Sequence, residues 1–103
     1  MSDKSIPVSM HTITFIKNDG IILDEIIAQV IATFGQPMPE LTVEKPTLKE
    51  FNFLGYFDDP IEGTQYYKSD LTSTRNWDKA SDTTLYARWR VRSGLIRIGD
   101  LGL

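Results

Sequence analysis

The chain has no cysteine and a single histidine, His11. The first absence excludes a disulfide scaffold and any thiolate metal site. The second leaves too few nitrogen donors for zinc, which takes three or four nitrogen or sulfur ligands. No apolar run approaches the ~20 residues of a membrane-spanning helix. The stretch Met1 to Ser9 carries no apolar core after Lys4, so it does not read as a signal peptide. Basic residues are not in excess: 11 Lys and Arg stand against 14 Asp and Glu, a formal charge of −3. That balance gives no general attraction to nucleic acid or to an anionic membrane. Glycine-rich phosphate loops are lacking as well.

What is present suits one modest core. The chain has 103 residues, of which 41% are hydrophobic and 11% aromatic. That length fits a single domain. Met1 to Met10 is polar, holds Pro7 and reads as a flexible lead (1–10), followed by one domain over 11–91. Residues 92–103 form a tail, in which Leu95, Ile96 and Ile98 suggest a short edge strand.

Within the domain, HTITFIK at 11–17 alternates with Ile13 and Phe15 on one parity, which predicts a strand. Asn18-Asp19-Gly20 is a turn signal, because these residues tolerate positive φ. Ile21 to Phe34 is ambiguous. Leu23, Ile26, Ile27, Val30, Ile31 and Phe34 fit a helical stripe, and the periodicity alone leans to a helix, yet the same residues are rich in β-branched side chains. Gly35 to Pro39 ends that element. FNFLGYF at 51–57 reads as a strand in which Gly55 marks a bulge or a close backbone crossing. Tyr66, Tyr67 and Leu71 read as apolar contacts from an irregular segment, and Ser69 to Asp82 as a long surface loop. TTLYARWRV at 83–91 predicts a last strand, with Leu85, Ala87 and Trp89 on the core face and Tyr86, Arg88 and Arg90 on the wet face. Arg88, Arg90, Arg92 and Arg97 make that end locally basic, with the alternate spacing of a solvated strand face.

The order of these pieces resembles the Listeria–Bacteroides repeat family, the B-repeat-like module of internalin-type bacterial surface proteins. Ile13, Thr14 and Phe15 match the family's opening strand, and Gly20 its turn glycine. Phe34-Gly35 matches the aromatic–glycine step, and Pro37 and Pro46 the separated prolines. Phe51, Phe53, Gly55, Tyr56 and Phe57 match the central aromatic strand. Leu85, Tyr86, Ala87, Arg88 and Trp89 match the closing strand nearly one for one. The resemblance covers His11 to Arg90. It implies an α+β, mostly β, β-grasp-like domain: a mixed sheet of about four strands with a short helical or irregular crossover, in which 26–33 is a strand. It further implies a non-catalytic cell-surface module without cofactor, acting as a structural spacer with an adhesive role. Its expected neighbours are repeat modules; separately, an exposed edge strand at the C-terminal tail offers pairing with a neighbouring module or a weakly associating second copy. The surface location holds if the chain is a piece of an exported protein; the alternatives are a specific protein- or glycan-binding module using the 70–82 loop and a small intracellular regulator in the cytoplasm. The segment Thr72 to Asp82 is longer than the family's usual link, which marks that loop as its specialised part.

Few residues point to chemistry. His11 opens a strand and reads as an ordinary surface residue, since a general base needs a substrate or nucleophile beside it. Asp58, Asp59 and Glu62 are the densest acidic group, but their spacing matches no calcium loop, and a solvated turn is the expected role. Tyr66, Tyr67 and Trp77 are the candidate partner-binding residues. Rings in irregular segments serve either as lids over the core or as exposed platforms for a protein or glycan. Trp77 has the stronger case for contact, because Arg75, Asn76, Asp78 and Lys79 around it are all polar.

Overall fold

Alternation decides the first strand. The structure, a computed structural model, describes residues 9–92. In β1 (Met10–Ile16) Ile13 and Phe15 are fully buried, as a period of two requires of a strand with one core face. β2 (Ile26–Thr33) returns antiparallel beside it, with Phe15 opposite Ala28 and Ile13 opposite Val30. The link turns at Asn18 (φ 54°) and Gly20 (φ 78°), as the turn signal predicts. The helical stripe over Ile21 to Phe34 is therefore corrected. β-branched content prevails over a 3.6-residue period, because β1 supplies the backbone partners that a strand needs.

β3 (Phe51–Phe57), β4 (Gln65–Lys68) and β5 (Thr83–Val91) complete one mixed five-stranded sheet in the order β2-β1-β5-β3-β4. β1 and β5 run parallel at its centre, and every other pair is antiparallel. The expectation of about four strands is thus one short. The missed strand is β4, whose Tyr66 and Tyr67 read as irregular because four residues carry too little alternation. Among the described residues there is no helix, and the chain between β2 and β3 is irregular. The expected edge strand at Leu95 to Ile98 and most of the expected lead lie outside the described residues.

One cluster makes the core, built on Ile13, Phe15, Leu85 and Ala87 of the central strands. Phe15 meets Tyr56 and Tyr67 edge-on, with ring centroids 4.7 and 5.6 Å apart. Phe53 bridges Tyr56 (5.1 Å) and Trp89 (5.6 Å). Trp89 is only partly buried; its Nε1–H donates to the Lys17 carbonyl at 2.9 Å. Gly55 does both things expected of it. It sits at a break in the β3–β5 register, and a Cβ there would lie 2.2 Å from the Tyr67 carbonyl oxygen.

Candidate functional site

The three rings singled out from the sequence all lie in the core. Tyr67 and Trp77 are 0% exposed and Tyr66 is 1% exposed. The exposed-platform reading is corrected for each. Tyr66 and Trp77 pack on each other with centroids 5.4 Å apart. The Tyr66 hydroxyl donates to Asp78, and Arg75 lies over the Tyr66 ring while pairing with the same carboxylate at 2.6 Å. Tyr67 donates to the Pro39 carbonyl at 2.6 Å. Polar neighbours made Trp77 look exposed, but backbone pairing pulls it inward: its N–H donates to the Gln36 carbonyl and its carbonyl accepts from Gly35. The indole Nε1–H has no hydrogen-bond partner. Burial raises the Tyr67 hydroxyl pKa; burial first, then the Asp78 bond, raise that of Tyr66. Asp78 is held low by the Tyr66 hydroxyl.

His11 stands between Ser9, whose Oγ is 2.7 Å from Nε2, and Asp82, whose Oδ1 is 3.7 Å from Nδ1. These are the atom types of a Ser–His–Asp relay, without its geometry. The Asp82 contact exceeds a hydrogen bond, its side chain is 74% exposed, and Oδ1 already accepts the Thr12 N–H at 2.9 Å. The arrangement fastens the start of β1 to the start of β5.

The acidic turn is likewise spent on structure. Asp58 accepts the Thr64 N–H at 2.7 Å and pairs with Lys79 at 3.1 Å. Asp59 accepts the N–H groups of Ile61 and Glu62 at 3.0 and 2.9 Å, which lowers its pKa. Among the described residues no group of three or more carboxylates and histidine is placed to hold a metal.

A feature unpredicted from the sequence lies at the β1–β2 hairpin end. Ile16, Asn18, Gly20 to Asp24, Pro60 and Tyr86 line a hollow of about 410 Å³. Asp19 supports one wall without lining it: its Oδ1 accepts the N–H groups of Ile21 (2.8 Å) and Ile22 (3.1 Å), which caps the turn and lowers the pKa of the carboxylate. Asp59 does the same for Ile61 on the facing turn. Asn18 ties the two turns together, donating through Nδ2 to the carbonyls of Ala87 (3.0 Å) and Pro60 (3.3 Å). Leu23, Ile21 and Ile61 are 90%, 76% and 73% exposed. The two turns also hold Asp19, Asp24, Glu25, Asp58, Asp59 and Glu62, against Lys17, Lys79 and Arg88 nearby. Of these acids Asp24 lines the hollow, while Asp19 pairs with Lys17 and Asp58 with Lys79, so the concavity is apolar with one carboxylate in its lining. The signal for it was the triplet Ile21-Ile22-Leu23 between a turn glycine and two acids, which a helical stripe absorbs too easily.

No family model and no curated protein matches the chain.

Proposed function

We propose that this chain is a non-catalytic bacterial cell-surface module of the Listeria–Bacteroides repeat type, a structural spacer that also makes adhesive contact through the hairpin-end hollow. The observation that carries the contact is the exposed aliphatic cluster of Ile21, Ile22, Leu23 and Ile61 around a concavity, since Leu23, Ile21 and Ile61 are the three most exposed large hydrophobic residues among the described ones. The module reading draws support from position. The stretches that carry the resemblance, ITF, TLYARW and FNFLGYF, lie in β1, β5 and β3, three neighbouring strands. A parallel central pair flanked by antiparallel strands is also consistent with a β-grasp-like architecture. Fold analogy alone does not assign function, so the contact chemistry matters.

An apolar hollow with one carboxylate, Asp24, in its lining fits a protein segment that presents an aliphatic side chain beside Lys or Arg. A glycan reading rested on Trp77, which is buried. The test is to follow the amide resonances of the chain during titration with two synthetic peptides, one with leucine between lysines, one with leucine between glutamates. The reading requires saturable shifts at Gly20 to Asp24, Ile61 and Glu62 with the basic peptide only, weakening as salt is added. No shift with either, or shifts centred elsewhere, would overturn it. Protease treatment of intact cells tests the location: release of the natural full-length product is expected, and full protection refutes a surface role.

A further inference from the structure

The two edges of the sheet are treated differently. On β4, residues 72–74 close the edge: Lys68 donates to the Thr72 carbonyl, Thr74 donates to the Tyr66 carbonyl, and Tyr67 bridges to Ser73. β2 has β1 on one side, and among the described residues nothing pairs with the other. Proteins usually blunt such an edge with a charge, a proline, a bulge or a very short strand. β2 carries almost none of these. Its eight residues, IIAQVIAT, include no charged residue, no proline and no glycine. Its one irregularity sits at the Ile26 end, so Ala28 to Thr33 runs in unbroken register with β1.

We infer that this edge is an interface for a second copy of the chain, which adds its own β2 antiparallel to the first. The sequence of the strand argues for a copy rather than an unrelated peptide. A two-fold axis perpendicular to the sheet pairs residues of equal parity. Centred on Val30, it sets Val30 against itself and Ala28 against Ala32 on the core side, and Gln29 against Ile31, twice, on the other. All these pairs are neutral, so no like charges meet. The Ala pairs keep that side free of bulk. At both ends the same register brings Ile26 of one copy level with Phe34 of the other, residues 58% and 49% exposed in the single chain. Ile31, 51% exposed, also gains a neighbour. The two sheets join into a continuous one of ten strands. The inference is independent of the hairpin-end hollow and of any family assignment.

Light scattering coupled to size exclusion, run on the 103-residue chain from micromolar to millimolar loading, gives the first readout. The mass is expected to rise from 11.7 kDa toward twice that value. Over the same range the amides of Ala28 to Ala32 should gain hydrogen-exchange protection. In a mixture of isotope-labelled and unlabelled chains, a filtered nuclear Overhauser contact should connect Val30 to Val30 of its copy. Ile31→Lys should hold the chain monomeric at every loading while leaving its melting curve in place. A monomer throughout overturns the inference. So does a dimer that protects other amides, or one that persists unchanged in Ile31→Lys. The exchange and Overhauser readouts use the unaltered chain, so they decide the matter even where the substitution unfolds it.

Discussion

Trp77 shows how a ring in a polar stretch can belong to the core. Its backbone is stitched to residues 35 and 36, so the indole has nowhere to go but inward, onto Tyr66. Truncation to alanine removes the largest fully buried side chain. Trp77→Ala should therefore cost ~3–5 kcal/mol, the range of large aromatic deletions. Trp77→Phe keeps a ring and removes a buried N–H that has no partner, so its cost should be roughly half as large. Urea denaturation followed by circular dichroism checks both, and equal losses would show that the ring is not what matters. Gly55 is the second such residue. At φ 125° and with the Tyr67 carbonyl 2.2 Å from any Cβ, Gly55→Ala must distort the β3–β4 pairing. The backbone conformation alone should cost ~1–3 kcal/mol. Lost exchange protection along β4 in that variant would place the damage.

Elements differed in how well they could be read. β1, β3 and β5 were legible because each is long enough to alternate and each ends in a turn signal or a glycine. β2 was legible only as a composition, since its apolar residues satisfy two periods at once and its partner decides between them. β4 was missed because a four-residue strand owes its existence to β3 on one side and residues 72–74 on the other. The hairpin-end hollow was missed for a related reason: it is made by two turns distant in sequence and joined by Asn18. That loop yields a local prediction. Asp19→Ala removes the acceptor for the Ile21 and Ile22 N–H groups. Their amides should exchange faster, while Ile13 and Phe15 in β1 keep their protection, because the strand pairing does not depend on the cap. Uniform loss of protection in that variant would mean the cap holds the whole hairpin.

At the scale of the whole molecule, stability should depend on pH at two limits with opposite signs. Asp19, Asp59, Asp70 and Asp78 are held below their ordinary value of 3.8 by N–H or hydroxyl donors. The unfolded chain binds protons to these groups first. Their contribution is therefore fully present above 3.8 and is lost as the pH falls below it. The tyrosines act at the other limit. Burial pushes Tyr56 from 10.0 up to about 12 and raises Tyr66 and Tyr67 further. These hydroxyls stay neutral in the fold while the unfolded chain ionises them near 10.0. Their contribution is present below that pH and is lost as the pH rises through the folded values. The melting temperature should thus run level across the neutral range, from about pH 5 to about pH 9, and fall on either side. On the alkaline side at least three of the four tyrosines should gain phenolate absorbance together with the loss of β-sheet circular dichroism, because ionisation and unfolding are one event. Phenolate absorbance that rises fully while the sheet signal is intact would mean that these rings reach solvent without unfolding, and the aromatic core would not be closed.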